Sequence, residues 1–279
     1  MPIAQRPTSA QTFLVALFFA YALGLLGLTF WLARPAEEIT PTSEPVEPAP
    51  APVEPWHLTQ IPPDFGSITE IDAKKGAFYD YLLPGIEYHN QRLAQARKQL
   101  LAIAEKLNSD TPLTAPEKER LAALSTQFDS SDIAVLLRRV DQIPPSLAIA
   151  QAATESGWGS SRFAQEGNNF YGEWCYKPGC GLVPSRRLKG ASHEVRRFDT
   201  VADSIGSYFD NINTHPAYRT LRALREQARR DGKPLTGEYL ARGLERYSEK
   251  GEEYVNYIRA MIRSNDLGRF DAPVASGSG

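Results

Sequence analysis

Apolar and polar positions along this chain follow several distinct regimes. Phe13 to Ala33 is almost continuously apolar (FLVALFFAYALGLLGLTFWLA), and no charged side chain lies between Arg6 and Arg34. As a helix it would span about 31 Å, close to the roughly 30 Å hydrocarbon core of a bilayer. Trp31, near one end, suits an interfacial anchor. A cleaved signal peptide is the rival reading. Its apolar region ordinarily runs about 7–15 residues, and Arg34-Pro35 makes a poor cleavage region here. The pattern therefore predicts an uncleaved transmembrane helix over residues 11–33, with a slight positive-inside preference for a cytoplasmic tail over residues 1–10. Next comes RPAEEITPTSEPVEPAPAPVEPW, where recurrent proline removes backbone donors and little can be buried. It predicts an extended, semi-rigid stalk within a Pro/Glu-rich linker over residues 34–70.

From Ile71 to Asn108 the period changes. Phe78, Leu82, Ile86, Leu93, Leu100, Ile103 and Leu107 recur at three- and four-residue intervals or their multiples, which predicts a long helix, with Pro84 positioned to break it in two. Ala115-Pro116 opens a short helix carrying Leu121 and Leu124, and Ser131 or Asp132 caps another carrying Ile133, Leu136 and Leu137. These elements, over residues 71–140, carry no catalytic constellation and read as a packing extension. Pro144-Pro145 then starts a helix of small and apolar residues that Gly157 ends. Leu182 to Phe198 alternates weakly around a Lys-Gly turn, as a β-hairpin does. Further helices follow from Thr200 and around Tyr254, Tyr257, Ile258, Met261 and Ile262, before a polar tail at residues 272–279 that is expected to be disordered. The fold class is mainly α (α+β): a helical domain with a small β-hairpin lobe.

Charge narrows the chemistry. The formal net charge is −2, from 31 Lys+Arg and 33 Asp+Glu. Residues 1–56 hold two positive and five negative side chains, so the remainder is near neutral. That argues against nucleic acid as a partner, since such proteins usually carry a basic excess. The four histidines are scattered and the two cysteines are too few for a four-cysteine zinc site, so no metal or other cofactor is expected. Cys175 and Cys180 flank a Pro-Gly turn in WCYKPGCG; a disulfide fits an oxidising compartment, and two free thiols fit any other.

One acidic residue stands out. The helix from Pro145 ends at Glu155-Ser156-Gly157-Trp158-Gly159. A helix C-terminus disfavours an anion, and apolar surroundings do the same, so both raise the pKa of Glu155 toward the range of a general acid. On these grounds a surface glutamate at a frayed helix end and a catalytic acid remain equally open.

Resemblance separates them. Ala152-Ala153-Thr154-Glu155-Ser156-Gly157-Trp158-Gly159 resembles the A-x-E-S-G-W-G signature of the glycoside hydrolase family 73 glucosaminidases, in particular their Bax-type members from Gram-negative bacteria. The likeness runs from about Ile143 to Phe270. It takes in Gly167-Asn168-Asn169-Phe170-Tyr171-Gly172, Arg197-Phe198-Asp199, Asn213-Thr214-His215-Pro216-Ala217-Tyr218-Arg219 and Tyr247. It implies a lysozyme-like fold, a catalytic domain over residues 141–271 and peptidoglycan glycan strands as substrate.

By that resemblance, Glu155 protonates the leaving glycosidic oxygen. Glu194, in the second arm of the hairpin, is the candidate second acid, and an exposed hairpin glutamate is the alternative for it. Glu173 is another candidate, where Gly-Glu-Trp departs from the family's more usual Gly-hydrophobic-Lys. Tyr247 matches the tyrosine of the family's Tyr-Ala-Thr-Asp segment and is the third catalytic candidate, as a stabiliser of substrate assistance by the N-acetyl group. The segment here reads Tyr-Ser-Glu-Lys, so its aspartate is absent. Trp158, Tyr171 and Trp174 are candidates for stacking on sugar faces, and Asn169 for an acetamido hydrogen bond; core packing and turn formation are their alternatives.

The expected function is that of a peptidoglycan hydrolase, a β-N-acetylglucosaminidase cleaving the β-1,4 bond between N-acetylglucosamine and N-acetylmuramic acid. The expected location is the bacterial inner membrane, single-pass, with the catalytic domain in the periplasm. A lytic transglycosylase is the nearest alternative, although that class usually carries a Gly-Leu-Met-Gln stretch where this chain has Asn-Asn-Phe-Tyr-Gly. A non-catalytic wall-binding protein is the other.

Overall fold

The computed structural model describes residues 61–185, 187 and 190–271. The expected transmembrane segment, the proline-rich stalk to Trp56 and the tail at 272–279 lie outside the described residues. Among those described, no helix is long and apolar enough to cross a membrane. The architecture is mainly helical with one small antiparallel sheet of three strands, as the hydrophobic pattern predicts.

The first element is a single helix, Ile71–Asn108, that continues through Pro84 without interruption. A proline inside a helix costs about 3 kcal/mol, because it removes one donor and crowds the preceding turn. Here Pro84 and Asp80, whose carbonyl loses its partner, are both exposed, so water satisfies what the ring leaves open. Phe78, Leu82 and Ile86 on the opposite side are fully buried, and burial of such side chains at roughly 1.5–3 kcal/mol each exceeds that cost. The predicted break is therefore absent. Glu70 caps the start, accepting from the Asp72 and Ala73 amides.

The ordered unit also begins before the linker boundary predicted at residue 70. Phe65 is buried and meets Phe78, Tyr81 and Phe170 edge-on, with ring centroids 5.6–6.3 Å apart. One apolar residue among prolines carries no period, which is why pattern alone places it in the linker.

Two short helices, Ala115–Gln127 and Ile133–Arg139, follow where predicted: the first opens at Ala115-Pro116 behind a Thr114–Glu117 capping box, and the second is capped by Asp132, which accepts from the Ala134 and Val135 amides. The chain then enters the central helix, Pro145–Ser156. Its entry is held from both sides. Asn90 of the long helix exchanges two hydrogen bonds with the backbone of Ile143, at 2.8 and 2.9 Å. Asp271 accepts from the amide and hydroxyl of Ser146 and from the amide of Gly237, placing a carboxylate at two helix N-termini.

Below the central helix lies a buried charge cluster. Asp141 faces Arg97, Arg225 and Arg229 at 3.3, 3.8 and 2.8 Å. Burial works against its charge, but the three guanidinium groups outweigh it and hold the carboxyl below its ordinary range. Arg225, itself 1% exposed, also donates to Asn213 and to the carbonyls of Arg138 and Gln142. The cluster ties the long helix, Ile133–Arg139, Val201–Thr214 and Arg219–Arg230 together. Residues 71–140 are thus built into the same core as the rest of the unit.

The sheet is ordered β1-β3-β2, with β1 at Trp174–Cys175, β2 at Gly181–Leu182 and β3 at Glu194–Arg196. The hairpin forms as predicted, between β2 and β3. Its outer partner β1 was not legible, since two residues carry no period.

Removing the carboxylate of the charge cluster leaves Arg225 buried without its counter-ion. Asp141→Ala is expected to lose about 3–5 kcal/mol of unfolding free energy, read from denaturant titration.

Candidate active site

The central helix, PSLAIAQAATES, buries every residue from Ser146 to Ala153. Small side chains let neighbours approach on all sides, and a helix apolar all round is a core helix. It ends in three consecutive residues with left-handed backbone: Gly157 at φ 59°, Trp158 at 57° and Gly159 at 74°. Gly159 has a second reason to be glycine, because a Cβ there would lie 2.2 Å from the Phe65 ring. Ser156 donates to the Ala152 carbonyl at 2.6 Å and accepts from the Gly159 amide at 2.8 Å. The serine and glycines of this motif thus fold the chain sharply away and leave Glu155 at the mouth of a cleft.

That cleft has a volume of about 1100 Å³ and is lined by Glu155, Gly172, Glu173, Trp174 and Tyr218 together with the 245–250 loop. Glu155 Oε1 accepts from the Tyr254 hydroxyl at 2.9 Å. Oε2 faces Gly172, where an added Cβ would sit 3.3 Å from it and where φ is +68°. Burial raises the Glu155 pKa, and the Tyr254 hydrogen bond opposes that rise only in part. A carboxyl whose pKa is raised beside an open cleft is suited to donate a proton to a bound group.

The other predicted residues divide. Tyr247 and Tyr171 line the same cleft, but the Tyr247 hydroxyl donates to the Tyr171 carbonyl at 2.9 Å, and burial pushes its pKa well above the ordinary value. The Tyr171 ring stacks on Tyr208 at 4.0 Å and is almost wholly buried. Trp174 stands at the cleft edge, 56% exposed and stacked on His193 at 4.1 Å, which leaves a broad aromatic surface open. Cys175 and Cys180 form a disulfide.

Three candidates are directed elsewhere. Trp158 packs edge-on against Phe78 and Tyr79 beneath Lys75, away from the cleft lining. Asn169 is buried and its amide serves the backbone, donating to the Glu173 and Arg196 carbonyls and accepting from the Glu173 amide. Glu194 accepts from the Gly179 and Gly181 amides at 3.1 and 2.8 Å, which anchors the disulfide loop and holds its pKa down. It is not part of the cleft lining. Cys175, Cys180 and Glu194 are grouped closely enough to suggest metal ligands, but the disulfide consumes both sulfurs.

Glu173 takes the place in the cleft expected of Glu194. Its Oε2 accepts from Ser207 at 2.7 Å and lies 3.7 Å from Arg196, while Oε1 is buried without a partner. Burial raises its pKa, against the Ser207 hydrogen bond and the Arg196 charge. Tyr254 and Gln151 escaped the sequence reading, the first because it looked like part of an apolar stripe. A signal for Gln151 existed: a glutamine four residues before Glu155, on one face of an otherwise apolar helix.

Because the folded-state pKa of Glu155 is raised, its contribution to stability is complete below the ordinary carboxyl range and is lost as pH climbs through the raised value. Glu155→Gln removes that loss. Its melting temperature is expected to gain on the wild type between about pH 4 and about pH 8. Thermal scans at both ends check this, and a gap that closes toward high pH would contradict it.

Residues 131–267 match the glucosaminidase family described as mannosyl-glycoprotein endo-beta-N-acetylglucosaminidase. The chain is 32% identical to Protein bax of Escherichia coli (strain K12) over 207 residues, which cover 73% of this chain and 74% of that protein. No solved structure matches it. With the acid at a helix end beside an open cleft, inside the matched region, the chain belongs to the glucosaminidase family.

Proposed function

We propose that this protein is a peptidoglycan hydrolase of lysozyme-like fold that cleaves the β-1,4 bond after N-acetylglucosamine, with Glu155 as general acid. The observation that carries the reading is the placement of Glu155: a carboxyl at the end of the central helix, with Oε2 beside Gly172 at the wall of an open cleft and its pKa raised by burial. A polysaccharide suits a trough of this kind, and Trp174 offers its exposed ring to a sugar face.

In the proposed reaction Glu155 transfers its proton to the glycosidic oxygen as the bond to the anomeric carbon breaks. Water adds at that carbon, and its proton passes to the second carboxylate of the cleft. Glu173 takes this role rather than Glu194, because Glu173 lines the cleft whereas Glu194 lies outside that lining with both oxygens on backbone amides. Tyr247 acts by holding the cleft wall through the Tyr171 carbonyl. The separation of the two carboxyls decides the stereochemistry: about 5–5.5 Å for retention and about 6.5–9.5 Å for inversion.

The reading extends to location. An anchor at residues 11–33 and a proline-rich stalk would hold the domain off the inner membrane on its periplasmic side, and the Cys175–Cys180 disulfide suits that compartment.

Digestion of purified peptidoglycan by the full chain is expected to release reducing N-acetylglucosamine ends, identified by mass spectrometry. Glu155→Gln should lower the rate by roughly 10²–10⁴-fold, and Glu173→Gln by about 10²-fold in kcat. Anhydro-muramic ends would reassign the protein as a lytic transglycosylase. Tight binding by a folded chain without Glu155-dependent product would make it a wall-binding protein.

A further inference from the structure

Behind Glu155 runs a line of buried hydrogen bonds that leads away from the cleft. Tyr208 donates to Gln151 Oε1 at 2.8 Å, Gln151 Nε2 donates to the Tyr254 oxygen at 3.3 Å, and Tyr254 donates to Glu155 Oε1 at 2.9 Å. Gln151 is fully buried, Tyr208 is 1% exposed and Tyr254 is 5% exposed. None of the three lines the cleft.

The polarity of this line follows from hydrogen-bond chemistry. An amide oxygen only accepts and an amide nitrogen only donates. When Glu155 is ionised, Oε1 must accept, so Tyr254 donates to it. The Tyr254 oxygen is then open to Gln151 Nε2, which leaves Gln151 Oε1 to accept from Tyr208. Reversing the line requires turning the Gln151 amide over inside the core and rotating two tyrosine hydroxyls. Neither ring is loose: Tyr208 is stacked on Tyr171 at 4.0 Å, and Tyr254 on Tyr247 at 5.3 Å.

We infer that Gln151 and Tyr208 are positioning residues that act through Tyr254 to keep Glu155 Oε1 an acceptor, so that the acid proton sits on Oε2, the oxygen facing Gly172. The inference rests on the proposed role of Glu155 as general acid. With the line reversed, the proton would lie on Oε1 and point into the core, and the carboxyl would be protonated yet unable to donate to a substrate. The line thus supplies direction, which burial alone does not.

Other ionisable groups near Glu155 do not obscure this. The Tyr218, Tyr247 and Tyr254 hydroxyls are coupled to it, and burial pushes all three upward, Tyr218 to about 12. Glu245, Arg246, Glu249 and Lys250, on the 245–250 loop, line the cleft but are exposed to water, whereas Asp210, on the Val201–Thr214 helix, also lines it and has its carboxyl pKa raised by burial. Burial raises the Glu173 carboxyl as well, so titrations are made in the wild-type, Glu173→Gln and Asp210→Asn backgrounds.

The test pairs a direct titration of Glu155 with pH–rate profiles of the full chain on peptidoglycan. The titration follows the carboxyl by infrared spectroscopy, isolated as the difference from Glu155→Gln. Each donor in the line favours the ionised form, so removing one raises the Glu155 pKa and moves the alkaline limb of kcat upward. Tyr254→Phe is expected to shift most, Gln151→Met less and Tyr208→Phe least, with kcat reduced from about tenfold to about threefold in that order and KM unchanged. A purely structural role would lower the melting temperature of Gln151→Met and Tyr208→Phe while leaving titration and limb in place, and that result would overturn the inference.

Should Gln151→Met and Tyr208→Phe fail to fold, Tyr254→Phe still decides. With the proton on Oε2 the carbonyl oxygen of Glu155 is Oε1, so its stretch is expected to rise in frequency when the Tyr254 hydroxyl is removed. A stretch that stays in place in Tyr254→Phe would make the cleft-facing Oε2 the carbonyl, put the proton on Oε1 and refute the assignment. An inactive chain with this titration intact would count against the hydrolase reading and not against the line of hydrogen bonds.

Discussion

Nearly everything in this structure is arranged around the burial of one twelve-residue helix. Pro145–Ser156 has no solvent face along most of its length, so it needs neighbours on every side. The long helix, the Gly237–Leu240 turn, the Glu252–Ser264 helix and the closing turn at Leu267–Phe270 supply them. A helix enclosed in this way has one place to carry a polar function, its end. Glu155 sits there, and its chemistry follows from an environment that withholds water from one oxygen while leaving the other beside a cleft.

The polar groups of the core serve that placement. Asn90 and Asp271 fix the entry of the central helix, and Asp141 with its arginines fixes the helices around it. Buried ion pairs are a weak source of stability, because desolvation offsets most of the attraction. Directional contacts to four separate elements do, however, select one arrangement of those elements over near alternatives. The line from Tyr208 through Gln151 and Tyr254 has the same character at the Glu155 end, where direction matters more than strength.

The β-lobe shows polar side chains that look catalytic in sequence yet work for the backbone. Asn169 and Glu194 each bind main-chain groups of short strands and turns that have too few residues to hold themselves together. Two- and three-residue strands form little ladder, so side chains complete it. That leaves Glu173, whose backbone is held by Asn169, as the second carboxyl set into the wall of the cleft beside Glu155.

Much was legible from sequence because it rests on local rules. Helix starts at Ala115, Asp132, Pro145 and Thr200, and the stop at Gly157, depend on residues within one turn, and the apolar periods place the core faces. Glu155 itself stands out by its position at a helix end. What sequence misjudged depends on distant partners: Pro84 is tolerated because the buried side chains opposite it hold the helix, and Phe65 belongs to the core because Gly159 leaves room for its ring. Nor can a period tell Glu173 from Glu194, since both lie in short extended segments. Local sequence thus determined most of the elements, several of their caps and the place of Glu155 at a helix end. Only tertiary structure decided which carboxylate shares the cleft and which tyrosine holds Glu155, because a hydrogen bond across 99 residues leaves no trace in local spacing.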